Sequence, residues 1–398
     1  MEKTTPAGDQ CRAISGSLVL LMAVSSGAVV ANLYYCQPLL AAMARDFRMT
    51  DAQAGLIPTF TQIGYGLGLL FITPLGDRAE NRRLIVTMVL LAAATLALTA
   101  MVQSTPIMIG VSLLIGLFSI VPQLIVPFAA NLASPAERSR TVGIVMSGLI
   151  VGILLARTVS GLMGAHLGWR SVYVAAAVLM LILCVLLRVL LPTRFQAGAP
   201  PYLALLGSLP GLLRDLRPLQ QAAVTGGLIF AAFSVFWTTL IFRLESPPFY
   251  LGSQAAGFFG LVGAAGASAA TLSGRFADRI GAVRIILAGL ALMLLSWSLL
   301  WIGTNSLWLL ALGAVSLDFA AQGAHVANQS RIFTLLPEAR NRINTIYIVS
   351  FFIGGASGSL AGAVLWSHLG WTGVCLLGSG LIALGLLIQY VMARKGEI

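Results

Sequence analysis

The sequence predicts an all-helical protein that crosses a membrane twelve times, and three observations lead there. Of the 398 residues, 58% are hydrophobic and only 9% are charged, against about 25% charged in a soluble domain. The apolar stretches run on for about 20 residues, the length a helix needs to cross a bilayer, and do not alternate in the short pieces of a membrane barrel. The basic residues collect in alternate loops between those stretches.

The first span covers 14–42, behind a polar leader, and is too long for the apolar core of a cleavable signal. Spans two and three, 53–74 and 84–103, flank a short loop rich in charge. Spans four, five and six follow at 106–130, 141–165 and 170–191. The stretch 193–219 is the only long internal loop. It carries Pro200, Pro201 and Pro210, then the run Leu212-Leu213-Arg214-Asp215-Leu216-Arg217, which predicts a linker with a short surface-lying helix. Spans seven to twelve lie at 220–243, 253–274, 284–303, 306–331, 342–366 and 371–392.

Nineteen of the 24 Lys and Arg fall on the side that holds both termini; Arg45, Arg48, Arg170 and Arg243 fall on the other, and Arg157 lies inside span five. The positive-inside rule then makes both termini cytoplasmic. The formal charge of +11 therefore reads as membrane orientation, with no nucleic-acid partner implied. Trp169, Trp301, Trp308, Trp366 and Trp371 fall near the predicted outer helix ends, as an interfacial belt would place them. Cys11, Cys36, Cys184 and Cys375 are far apart and suggest packing thiols, with neither disulfide nor metal site.

The two halves repeat. Pro135-Ala136-Glu137-Arg138 is echoed by Pro337-Glu338-Ala339-Arg340, and His166-Leu167-Gly168-Trp169 by His368-Leu369-Gly370-Trp371. Asp77-Arg78 recurs as Asp278-Arg279. Three echoes in equivalent loops predict a duplicated six-helix unit: a first bundle over 1–192, the linker 193–219, and a second bundle over 220–398, related by pseudo-symmetry.

On these features the whole chain resembles the major facilitator superfamily. The loop Pro74-Leu75-Gly76-Asp77-Arg78-Ala79-Glu80-Asn81-Arg82-Arg83 is similar to that family's motif A, and Gly274-Arg275-Phe276-Ala277-Asp278-Arg279-Ile280-Gly281-Ala282-Val283-Arg284 is the cleaner copy. Asn32-Leu33-Tyr34-Tyr35-Cys36-Gln37-Pro38 and the turn Gly168-Trp169-Arg170 resemble bacterial efflux permeases of the drug:proton antiporter type. That subfamily often carries Gly-x-x-x-Gly-Pro-x-x-Gly-Gly on helix five. Here Ile153 stands for the Pro and Arg157 for a Gly.

An Asp at a helix end that pairs with Arg in one state and not in another biases a two-state equilibrium. Asp77, Arg78 and Arg83, with Asp278, Arg279 and Arg284, are the candidates for such a cytoplasmic gate; the other reading is a loop that only fixes topology. Charges at the bilayer centre are expensive and normally face a cavity. Deep in the predicted spans lie one acid, Asp318, one histidine, His325, and one base, Arg157. Asp318, Gln322, His325 and Gln329 share one face of helix ten. Asp318 and His325 are the candidates for proton coupling, or else members of a structural network. Arg157 is expected to bind an anionic substrate, to pair with Asp318, or to anchor helix five at the seam. The resemblance implies that helices one, four, seven and ten line a central cavity. It adds Asn32, Tyr35, Gln62, Gln123, Phe233, Trp237 and Gln322 as substrate contacts, with Phe230 beside them.

Spans two, five, eight and eleven hold four or five Gly each while spans three and six hold none, and the resemblance implies that those four form the seam on which the halves rock. There is no Walker pattern, H-E-x-x-H or G-x-S-x-G, so an enzyme is not expected and no cofactor is called for. What the resemblance implies is a multi-pass protein of the bacterial inner membrane, sufficient as a monomer, that exports a small molecule by alternating access with protons as the driving force. The alternative is uptake or facilitated transport of a small, anionic metabolite.

Overall fold

The structure is a computed structural model that describes residues 15–134, 137–193, 201–261, 281–336 and 339–394. Helix accounts for all regular structure among them. Nine runs there are long and apolar enough to cross a membrane, and Gly16–Ala31 is a shorter apolar helix. The last of the nine, Arg340–Met392, is two spans, because the backbone leaves helical geometry at Gly370 (φ 59°, ψ −151°). Gly354 packs beside Gly227 and Gln389 reaches Thr225, so the arms on either side of Gly370 run antiparallel along span seven. The eighth span is described only up to residue 261 and is helical that far.

Two spans expected to be continuous are broken. In the first, helix Gly16–Ala31 gives way to a turn, a 3-10 segment Gln37–Leu39 and a second helix, Leu40–Phe47. Pro38 has no N–H to donate, and its ring excludes a regular helix through the preceding turn. The backbone bonds tighten to three-residue spacing instead, as in Tyr34 N–H to Ala31 O (2.9 Å) and Leu39 N–H to Cys36 O (2.9 Å). In the fourth span, Thr105–Phe118 and Val121–Leu132 are separated at Ser119 and Ile120, just before Pro122. The two breaks meet: Asn32 Nδ2 donates to Ser119 Oγ at 3.3 Å. Broken spans free backbone and side-chain polar groups at mid-membrane depth.

The linker helix also differs from expectation. It covers Tyr202–Asp215 rather than a short piece around residue 212. It begins after Pro201 and ends at the extended Leu216, since Pro218 belongs in the first turn of the next helix, Arg217–Glu245.

Outer faces are apolar. On Trp169–Leu190 a stripe of Val178, Leu181, Ile182, Val185 and Val189 is exposed at helical spacing, which suits lipid and would be untenable in water. Arg217–Glu245 is the opposite case, buried without a break from Ile229 to Leu244, so it runs through the interior. Spans one and five, two and four, and three and six pack pairwise, while span two meets span eleven and span five meets span eight across the middle. Gly161 and Gly257 make the second crossing possible: a Cβ on Gly257 would stand 2.9 Å from the Arg157 carbonyl oxygen and 3.1 Å from Gly161 Cα.

Candidate functional site

Three charged or aromatic side chains meet on that crossing. Arg157, on Arg138–Leu167, is 1% exposed, and Asp318, on Leu307–Phe333, is 4% exposed. They are not ion-paired. Trp237 stands between them, giving its indole N–H to Asp318 Oδ1 at 3.0 Å while its ring carries the Arg157 guanidinium 3.9 Å above the centroid. Arg157 Nε donates to Gln37 Oε1 at 2.6 Å, and the rings of Tyr34 and Phe233 lie 4.9 and 5.8 Å from the guanidinium carbon. The break in span one is what presents Tyr34 and Gln37 here. Charge-assisted bonds of the Gln37–Arg157 kind are roughly twice as strong as neutral ones, and a cation over a desolvated indole gains up to about 2 kcal/mol. Arg157 Nη2 is buried and has no hydrogen-bond partner among the described residues.

From this centre toward the face away from the linker, the seam is closed by polar contacts. Gln62 Nε2 donates to Ser359 Oγ (3.0 Å), Thr158 Oγ1 to Gly257 O (3.0 Å), and Trp366 Nε1 to Asp51 Oδ2 (2.9 Å). Arg45 and Glu245 form an ion pair at the rim. Beside it Asp46 accepts from Arg170 and from Trp169 Nε1. Those bonds, Arg170's foremost, hold the Asp46 carboxyl below its ordinary range against the opposing effect of burial.

Toward the linker the same seam opens into a cavity of about 650 Å³. Its polar wall comes from Asn81, Gln123, Asn341, Asn344, Arg340 and Arg342, and Leu205, Leu206 and Leu209 of the linker helix cover one side. The linker helix is held to both flanks: Tyr202 OH donates to Phe71 O (2.9 Å), and Arg342 donates to Ser208 Oγ (3.1 Å). No carboxylate is among the described side chains that line the cavity.

Comparison with known proteins decides the family. The sequence model of the Major Facilitator Superfamily matches residues 19–271 and 222–397. The chain belongs to the Major Facilitator Superfamily. It is 46% identical over 377 residues to the "Uncharacterized transporter YgaY" of Escherichia coli O157:H7, covering 95% of this chain and 96% of that one. It is 26% identical to the "Probable sugar efflux transporter" of Pasteurella multocida, covering 90% and 87%. In structure it is similar to a bacterial homologue of the human lysosomal transporter Spinster, solved in an inward-facing and occupied conformation, with a TM-score of 0.78, 13% identity, and coverage of 95% and 96%. The protein is thus an all-helical, multi-pass membrane transporter of the superfamily fold, acting on a small molecule, and not an enzyme.

The remaining expected residues of this superfamily member fall into three groups. Phe233, Trp237, Arg157 and Asp318 come together at the centre, with Gln62 on the seam beside them. Gln123 lines the linker-side cavity and donates to Tyr65 OH (3.3 Å), and Asn32 is spent on Ser119. Tyr35 is buried and Gln322 half-buried. His325 turns away from Asp318 to its own partners, with Nδ1 at 3.0 Å from Tyr347 OH and its ring against Phe351 at 4.5 Å.

In the gate loop, Asp77 ends a 3-10 segment, Thr73–Asp77, and Arg78 and Arg83 are exposed. The engaged arginine is Arg82, with Nε 3.5 Å from Glu80 Oε1 and a bond to Leu191 O. Arg284 is exposed, and Asp278 and Arg279 lie outside the described residues. Of the expected belt, Trp301 and Trp308 are exposed. Trp169 and Trp371 are instead buried beside the positive-φ glycines Gly168 and Gly370, the first on Asp46 and the second on Leu300 O.

Sequence reasoning named none of Gln37, Tyr34, Ser359 and the Arg45–Glu245 pair as site residues, although Tyr34 and Gln37 stand in the run Asn32–Pro38 that carries the permease resemblance.

Proposed function

We propose that this protein exports a small molecule across the bacterial inner membrane in exchange for protons, by alternating access between two six-span halves, 1–192 and 220–398, joined by the linker 193–219. The observation that carries the reading is the chain Gln37–Arg157–Trp237–Asp318, which crosses the buried seam and holds the one carboxylate found deep in a described span.

The halves rock about that chain. In the conformation at hand the contacts from Gln62 to Arg45 close one face, and the cavity lies on the linker face, which the positive-inside rule makes cytoplasmic. Cargo enters there. Closing that cavity and parting Arg45 from Glu245 completes the switch. Protonation of Asp318 is the coupling event: a hydrogen bond to a charged acceptor is worth about 1.5–3 kcal/mol and to a neutral one about 0.5–1.5 kcal/mol. The hold on Trp237 therefore weakens by about 1 kcal/mol, enough to shift a two-state population about fivefold. His325, bonded to Tyr347, serves as a second proton station one turn or two nearer the linker face. Asp77, Arg78 and Arg83 with Asp278, Arg279 and Arg284 form the latch that engages when the cytoplasmic side closes. A single chain suffices, and its partners are the cargo, protons and lipid.

The test is proton movement in everted membrane vesicles, followed with a pH dye across antibiotics, dyes, sugars and organic acids. A compound that discharges the gradient with the wild-type protein and not in vesicles lacking it supports exchange. Accumulation of cargo in the opposite sense, from outside to cytoplasm, would refute export.

A further inference from the structure

We infer that Arg157 is the recognition site for an anion, and that the cargo is a small organic anion, a carboxylate or phosphate ester on an apolar body. The inference deepens the transport reading and rests on it only in letting the cargo reach the centre of the seam.

The guanidinium has donors to spare where none should be. Nε is used by Gln37, while Nη2 is buried with no partner among the described residues. A buried charged donor without an acceptor is among the costliest arrangements in a protein. The three rings around it offer their π-faces but no formal counter-charge. The charged and titratable groups that surround it are Asp318, Tyr34 and Cys36. Asp318 is reached only through the indole of Trp237 and makes no ion pair with it. A neutral hydroxyl would satisfy the spare N–H and leave the charge; an anion satisfies both, and the planar fork of Arg suits a carboxylate or phosphate. Tyr34, Phe233 and Trp237 supply an aromatic wall for the body of such a molecule.

The linker-side cavity, which Arg157 itself does not line, has a matching character. The cavity wall holds two arginines, Arg340 and Arg342, five amides, and no acid among the described side chains. Among the described side chains an incoming anion meets attraction there and no like charge, whereas a drug-like cation meets two positive groups before it reaches a third.

Purified protein in lipid nanodiscs is titrated with three matched series, following tryptophan emission, since Trp237 lies directly under Arg157. The probes are benzoate against benzyl alcohol and benzylammonium, phenyl phosphate against phenol, and pyruvate against acetone. At least one anion should bind tenfold or more tightly than its neutral partner, and benzylammonium should be weakest in its series. Arg157→Gln should erase the anion preference, so that anion and neutral partner bind alike, and Arg157→Lys should keep part of it. If Arg157→Gln does not fold, the wild-type series and Arg157→Lys still decide. The inference is overturned if no anion outbinds its neutral partner, or if the preference survives Arg157→Gln. No gradient is present in this assay, so a failure here is separate from a failure of proton exchange.

Discussion

Gly257→Ala should force the closed seam apart. A Cβ there would lie 2.9 Å from the Arg157 carbonyl oxygen, 3.1 Å from Gly161 Cα and 3.2 Å from the Thr158 carbonyl oxygen. All three are backbone atoms, so no side chain can swing aside, and the two helices must separate. Overpacking of this kind costs about 1–3 kcal/mol. On the proposed rocking of the halves, spans five and eight part when the face away from the linker opens, so the cost falls on the closed state. A bias of 1–3 kcal/mol corresponds to a shift of roughly 5- to 150-fold. Spin labels at Leu167, at the end of span five, and Tyr250, in the turn between spans seven and eight, both exposed on that face, report the separation by pulsed electron resonance. The variant should move population to the longer distance. Gly380→Ala is the control: nothing lies within 4 Å of the added carbon, and the distribution should stay as in the wild type. Unchanged distances in a folded Gly257→Ala protein would refute the reasoning, because the glycine contact would then be no part of the closed state.

Gln37→Leu removes the acceptor of the Arg157 Nε bond and strands a second buried donor. A loss of about 1.5–3 kcal/mol should lower the thermal midpoint in detergent, with a smaller loss for Gln37→Glu, which keeps an acceptor. Asp46 behaves as a pH-dependent outer brace. Its folded carboxyl lies below the usual range because of Arg170, so its contribution is present above about pH 4 and is lost as the pH falls through the lowered folded value. The midpoint gap between wild type and Asp46→Asn should therefore hold from neutral pH to pH 5 and close in stronger acid. If a monovalent anion leaves as one proton enters, each cycle moves two charges down an inside-negative potential. About 2.3 kcal/mol per charge per 100 mV makes transport strongly voltage-driven, and collapse of the potential with valinomycin and potassium should slow it even at a fixed pH difference.

The helices were legible because bilayer thickness fixes their length and water fixes their ends. Residues at the ends shifted by only a few positions, as with Asn81–Met101 against 84–103. The breaks at Asn32–Cys36 and Ser119–Ile120 were not legible, since hydropathy is blind to a proline that follows an unbroken apolar run. Asp318 and Arg157 stood out because charge is rare at that depth. Their relation did not, because it passes through the face of one indole and the edge of the same ring. Arg45 and Glu245 look like loop charges in sequence; only the fold brings residues 200 positions apart together. The cavity has the same origin: span ends and linker leucines form most of its wall, and of the lining only Gln123 was expected as a substrate contact before the halves meet.

Asp318→Asn in proteoliposomes tests the central claim most directly. The amide still accepts from Trp237 but cannot carry a proton, so two activities should separate. Exchange of labelled for unlabelled cargo, with no proton gradient, should continue near the wild-type rate, while uphill movement driven by an imposed pH difference should fall to background. Uphill transport that survives the substitution would contradict the account and leave Asp318 a packing partner of Trp237.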